Sequence, residues 1–462
     1  MSVSRQTIFE ARAMNRSLTS ILGDFAASLQ LSDVPEKVVD RAKASLLHNL
    51  GCALLVRGSE KWPRTLVSQH YAQPAECSLL LPGGGKAAMD GAVVANAAVL
   101  HAGAQDDIHV PSTSHPGVVI MPPALAVAEI RNATGQDLLR ALIIGYEVHG
   151  RIGRRHNELV TRRGYRSSCM CGVFGSAVAA SLLYGHDARQ IAGALGLASN
   201  LAGGLGQTFQ EGTTEWLWQL SSTARSGLFA ARSAGAGVTA APHSLEGERG
   251  FFRAYAGTNE FAAGVTDGLG ETWVISEVEL KDYPVCGILQ RPVEMMIKAV
   301  TENRIDARDI VRVELSLCPY EATYPGTDYS GPFETMTATT MSAQFCLSLA
   351  AVAQRVTLAD VCRFDDPQVL TNVARVKVLN DEQLASHASR LRVVLRSGSE
   401  VTLTDSGAAP TPTIESVAGR LMNATPASEQ PVMQRLIAAV VGIDQGGNAA
   451  DCFEAFQHGS TV

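Results

Sequence analysis

The apolar residues of this 462-residue chain change their period near Thr272, and no other feature limits the possible folds as strongly. From about Leu18 to Gly268 they recur at threes and fours, the spacing of one helical face. SDVPEKVVDRAKASLLHNLGCALL predicts a helix announced by Ser32, Asp33 and Pro35, with Glu36 in its first turn. TGQDLLRALIIGYEVHGRIGRR predicts another, capped by Thr134 and favoured by Asp137. HDARQIAGALGLASNLAGG predicts a helix ending at the glycine pair, and SSTARSGLFAARSAGAG one with small residues along one side. Beyond Thr272 the texture becomes alternating and β-branched. WVISEVELKDYPV, DIVRVELSLCP, ARVKVLND and RLRVVLRSGSEVTLTD read as strands, the last as a hairpin turning at Ser397–Ser399. LQRPVEMMIKAV and TATTMSAQFCLSLAAVAQ are helical between them, and helical texture returns after about Pro410. The expected fold is therefore mainly α with an α+β insertion. Residues 1–269 and 406–462 form one all-helical domain, and residues 270–405 a smaller α+β domain.

Composition excludes several functions. The net charge of −7, with no basic tail, argues against a nucleic-acid partner. Nine cysteines thinly spread over a long chain predict reduced thiols and a cytoplasmic setting, and no pair has zinc-site spacing. No apolar run approaches the ~20 residues of a membrane span, so no membrane partner is expected. GGLG has no preceding strand, GGGK at Gly83–Lys86 lacks the rest of a phosphate loop, and there is no GxSxG elbow. The 42 glycines and runs such as AAMDGAVVANAAVLHAGA predict closely packed helices.

The order of several segments resembles the MmgE/PrpD family, which includes 2-methylcitrate dehydratase, cis-aconitate decarboxylase and iminodisuccinate epimerase. The segments are DVPEKVVDRAKASLLHNLGCAL, NAAVLHAGAQDD, SHPGVVIMPPALAVAE, IIGYEVHGRIG, SLEGERGFFRAYAG, KDYPVCG and SAQFCLSLAAVA. The resemblance implies a helical domain with an inserted α+β lid, a homodimer, and no metal or organic cofactor. It also exposes departures. Ala104 stands where the lyase branches carry an acidic residue, and Ile108 where a Thr commonly follows the Asp pair. Trp216 and Gln219 replace a KxxH element, and Gln290 replaces a His. His115 of the HP element is kept, and Tyr329 matches a tyrosine ahead of the PF step.

Three stretches carry candidate chemistry. QDDIHVPSTSHPG sets Asp106 and Asp107 beside His109 and His115. A metal site needs a complete converging ligand set, and adjacent aspartates in an extended segment point apart. A polar turn is the plain alternative. His115 is the natural proton carrier, with the aspartates orienting it. RIGRRHNELVTRRGYRSS concentrates six arginines. Such runs are usually solvated helix ends, but Arg162, Arg163 or Arg166 could clamp a substrate carboxylate. KDYPVCGILQR offers Lys281, Tyr283 and Arg291 around a strand end, where the alternative is packing at a domain junction.

With Lys and His lost from the acid/base set, the reading that needs fewest groups is an epimerase moving one proton beside a carboxylate of a small polycarboxylate such as iminodisuccinate. His115 would be one acid/base group and Tyr329, Asp107 or Lys281 the other. Asp106, His109, the arginines, Trp216, Tyr283 and Gln290 would line the site. A lyase of the 2-methylcitrate or cis-aconitate type, and a non-catalytic binder on the same fold, are the alternatives.

Overall fold

The computed structural model describes residues 16–154, 156–407 and 412–457. Its architecture is mainly helical, with a smaller α+β part. The helices that matter for the site are α1 (Leu18–Ser28), α2 (Glu36–Val56), α3 (Met89–His101), α4 (Pro116–Arg131), α5 (Gly135–Gly153), α6 (Ser167–Tyr184), α7 (Ala188–Ala198) and α8 (Glu215–Gly235).

α6 is the hub, packed by α4, α5, α7 and α8. It is long and apolar enough to cross a membrane by composition, yet 94% of it is buried inside the protein. Its glycines explain the close packing. A Cβ on Gly175 would stand 2.7 Å from the Gly145 carbonyl oxygen of α5. At the start of α5, Thr134 and Asp137 form a reciprocal capping box, as their spacing predicts. α7 is capped by Asp187 but stops at Ala198, short of the predicted glycine pair. Ser199 and Asn200 turn their side chains back onto the Gly196 carbonyl and compete with the helical bond.

A short antiparallel pair joins β1 (Asp107–His109) to β2 (Val278–Leu280), with Asp107 opposite Leu280 and His109 opposite Val278. WVISEVEL is therefore not one strand. Val274–Glu277 forms a 3₁₀ turn before β2. The Val274 amide donates to Glu147, and Arg41 takes the Ile275 and Val278 carbonyls, so side chains replace the missing ladder. Trp273–Leu280 consequently pack with the helical core rather than with the insertion that was predicted to begin at 270.

A second core, from Val285 to Val393, surrounds a four-stranded sheet. α9 (Gln290–Glu302) precedes β3 (Ile310–Leu317). Next come α10 (Met336–Met341), α11 (Ala343–Ala353), β4 (Val376–Asn380), β5 (Ser389–Leu395) and β6 (Glu400–Asp405). The strand order is β4-β3-β5-β6, with β3 and β4 parallel and the other pairs antiparallel. Leu391 and Val393 alternate inward, as the period-2 pattern requires. TATTMSAQFCLSLAAVAQ divides at Ser342, whose extended backbone ends α10 and whose hydroxyl caps α11. The chain then returns through α12 (Ile414–Ala424) and α13 (Gln430–Val441), which pack on α2.

Candidate active site

The geometry begins with alternation. Residues 106–109 are extended, so successive side chains point to opposite sides. Ile108 lines an internal cavity, and Asp106 lies against the imidazoles that line it. Asp107 and His109 turn away. Ala104, in the left-handed conformation at φ 53°, reverses the chain between α3 and β1. That reversal brings His101, at the end of α3, back onto Asp106.

His101 Nδ1 donates to Asp106 Oδ1 at 2.7 Å, and its Nε2 accepts from Arg166 Nη2 at 2.9 Å. Arginine only donates, so this imidazole is neutral with its proton on Nδ1. Burial pushes its pKa down to about 3. His115 Nδ1 lies 2.6 Å from Asp106 Oδ2 and 3.2 Å from the Asp107 carbonyl oxygen. Two acceptors around Nδ1 place its proton there and leave Nε2 as the basic atom. The approach to Asp106 is out of line, so Oδ2 has no hydrogen-bond donor among the described residues. Burial also lowers the His115 pKa, against the pull of Asp106. Lys281 Nζ donates to the Ala104 carbonyl at 2.5 Å and stands 3.7 Å from Asp106 Oδ1. Burial opposes the charge on Asp106, but His101, Lys281 and His115 together hold its carboxyl well below the usual range.

Asp107 does something different. Its carboxylate accepts from the Gly117 amide at 2.9 Å and from the Tyr146 hydroxyl at 2.6 Å. Its own amide donates to Asn49. It thereby fixes the first turn of α4, directly after His115. Burial pushes its pKa up to about 6.

The cavity holds about 50 Å³, room for one or two waters. The helical core contributes His101, His115, Arg166, Trp216 and Lys281, and the α+β part contributes Val285, Ile288, Tyr324, Thr340 and Met341. Trp216 meets His101 edge-on, with ring centroids 4.4 Å apart. Arg166 also donates to the Trp216 carbonyl and to Gln219, and lies over Phe209.

Several predicted site residues lie elsewhere. His109 is fully buried against Ser112 and Glu277, so it is a structural histidine. Arg162 is exposed and paired with Glu158, while Arg163 donates to the Tyr255 carbonyl. Arg155, from the same run, lies outside the described residues. Tyr283 packs against the α+β core. Gln290 ties the turn at 282–285 through four hydrogen bonds to backbone. Arg291 pairs with Glu294 and approaches Glu279. Tyr329 donates to the Pro332 carbonyl and lines a different cleft; Tyr324 is the tyrosine that lines this cavity. His101 is a site residue that the sequence reading did not single out; the small residues Gly103 and Ala104 between it and Asp106 permit the reversal that joins them.

His101, Asp106 and His115 each offer a ligand atom within 4.8 Å of the others. The set suits a dication poorly. Both nitrogens of His101 are engaged, and Arg166 and Lys281 already supply positive charge beside it.

The chain is 27% identical over 423 residues to a cis-aconitate decarboxylase of Aspergillus terreus, covering 84% of each chain. A human cis-aconitate decarboxylase is 26% identical over 260 residues, covering 53% of this chain and 51% of its own. Residues 20–263 match the MmgE/PrpD N-terminal domain and residues 283–434 the MmgE/PrpD C-terminal domain, and the chain therefore belongs to the MmgE/PrpD family.

Proposed function

We propose that this protein is a lyase that removes carbon dioxide from a small unsaturated carboxylic acid, with cis-aconitate as the reference compound. The observation that carries this reading is the pair of imidazoles set on one buried carboxylate, with Arg166 and Lys281 beside them. The likeness to an Aspergillus terreus cis-aconitate decarboxylase over 84% of each chain supports it.

In such a reaction the bond to the leaving carboxylate breaks and its electron pair forms a new double bond. The old double bond's pair takes a proton at the carbon next to a remaining carboxylate. Negative charge builds on that carboxylate, and preorganised cations stabilise it. Arg166 and Lys281 are placed for that role. His115 is the proton donor: an arriving anionic substrate favours its charged form, and Asp106 stabilises the imidazolium. His101, held in one tautomer, positions Asp106 and Arg166.

The epimerase expectation rested on missing donors. Of the departures, Gln290 ties a turn and Gln219 supports Arg166, while Trp216, Ala104 and Ile108 line the cavity. His101 was not in that count.

Proton NMR in deuterated water with cis-aconitate, 2-methylcitrate and iminodisuccinate, each alone, tests the assignment. Carbon dioxide release with a new, singly deuterated alkene is expected. Deuterium entering iminodisuccinate with its isomers interconverting and no new compound would instead make the protein an epimerase.

A further inference from the structure

The cavity is much less polar than a polycarboxylate requires. Its lining includes two cationic side chains, Arg166 and Lys281. Both are almost fully buried and both already have partners. Asp106, ionised and buried beside them, cancels one of the two charges. With the imidazolium that His115 becomes when an anionic substrate arrives, two units of positive charge face a ligand, one for each of two carboxylates. Apart from a few serine, threonine and tyrosine hydroxyls and one thiol, the rest of the wall is apolar, with Ile108, Phe209, Trp216, Val285, Ile288 and Met341 its larger members. From Val285 onward the α+β part lends the wall hydroxyls and hydrocarbon, but no charged side chain.

A third carboxylate in this space would lose its water without a cation to meet it, and unpaired buried charge is strongly disfavoured. The lyase chemistry needs only two carboxylates. One leaves as carbon dioxide; the other takes up the charge that builds when the first departs. Hydrocarbon in place of a third would gain from the apolar wall.

We propose, resting on the lyase reading above, that the substrate is a dicarboxylate with an alkyl branch where cis-aconitate carries its central carboxylate. The class is that of the 3-alkylglutaconates. The reaction balances as before. The substrate dianion takes one proton, loses carbon dioxide and leaves an alkyl-substituted but-3-enoate with a single carboxylate. The 50 Å³ cavity is smaller than any such acid, so the α+β part must shift to admit it, and the apolar surface from Val285 to Met341 closes over the branch.

The test is a wild-type series: cis-aconitate, glutaconate, 3-methylglutaconate and 3-propylglutaconate, each assayed for carbon dioxide release and for ligand-induced thermal stabilisation. The expected result is a kcat/KM for 3-propylglutaconate about tenfold or more above that for cis-aconitate, with glutaconate below the branched acids, as loss of apolar contacts predicts. A kcat/KM for cis-aconitate equal to or above those of the branched acids overturns the proposal. If no acid releases carbon dioxide, the lyase reading fails, and the melting shifts then decide the ligand class on their own. Larger shifts with the branched dicarboxylates uphold it, and a larger or equal shift with cis-aconitate rejects it.

Discussion

Asp106 and Asp107 are neighbours in sequence with opposite acidities, and their partners explain the difference. Asp106 faces two imidazoles and a lysine, which hold its carboxyl far below the usual range despite burial. Asp107 faces neutral donors, and burial pushes it up to about 6. Replacing Asp106 by Asn keeps the shape and removes the charge. The imidazolium at His115 then loses its counter-ion, and His101 loses the acceptor that fixes its tautomer. Asp106→Asn is expected to lower kcat for carbon dioxide release roughly 10²–10⁴-fold, the usual contribution of acid–base catalysis, while KM changes little. A KM effect with unchanged kcat would show that Asp106 only helps bind substrate. The sequence made the adjacency of the two acids visible, and their alternation followed from an extended backbone. Which of them met His101 was not visible, because that depends on the reversal at Ala104.

At the scale of elements, the junction between β1 and α4 sets the position of His115. Gly117 follows it by two residues and is hemmed in. A Cβ there would meet Asn49 Nδ2 at 2.7 Å, Asp107 Oδ1 at 2.8 Å and the Tyr146 hydroxyl at 2.8 Å. All three belong to one hydrogen-bonded group and none can move without breaking it. Gly117→Ala is expected to cost about 1–3 kcal/mol, the range for overpacking, and to depress activity by displacing His115. Gly419→Ala is the matched control. Gly419 lies in α12 with nothing within 4 Å of an added Cβ, so alanine there should stabilise by up to ~1 kcal/mol. Thermal melts of both variants check the pair, and a harmless Gly117→Ala would mean the junction is looser than its contacts imply. Long periodic elements such as α5 and the β5–β6 hairpin were readable from sequence because their burial pattern repeats over many residues. β1 was not: three residues carry no period, and its strand character comes from a partner about 170 positions away.

Over the whole molecule, the expectation of a helical core closed by both chain ends has a direct counterpart in packing, since Ile414–Phe456 join the core formed by Leu18–Leu280. That core also buries histidines in number, which no sequence pattern signalled, and they make stability depend on pH. Burial lowers the pKa of His48, His101, His109, His115, His149, His156 and His186. His48 and His101 are pushed down to about 3 and His156 to about 4. Two of them share a device. His48 donates to the Gln105 carbonyl and accepts from Arg420, as His101 donates to Asp106 and accepts from Arg166. Protonation removes the acceptor and sets an imidazolium against a guanidinium. The unfolded chain has no such restraint and takes up protons near pH 6.5. Between that value and about 4 it therefore binds more protons than the folded chain, and stability falls as the pH falls. Each neutral buried histidine adds up to about 1.4 kcal/mol per pH unit to this slope. Four carboxyls act in the opposite sense. Asp107, Glu60, Glu147 and Glu279 have raised pKa values, keep their protons longer in the folded state, and gain stability as the pH drops through the same window. The histidines prevail, because His48, His101 and His156 are pushed down to about 3 or 4 while Asp107 rises only to about 6, and below pH 4 Asp106 joins them because only the unfolded chain protonates it. Thermal melts from pH 8 to pH 5 should show a plateau that breaks near pH 6.5 and then a steep loss of Tm. The double variant His48→Gln, His156→Phe should flatten that slope, and a wild-type Tm that stays level down to pH 5 would mean that these imidazoles are charged in the folded protein.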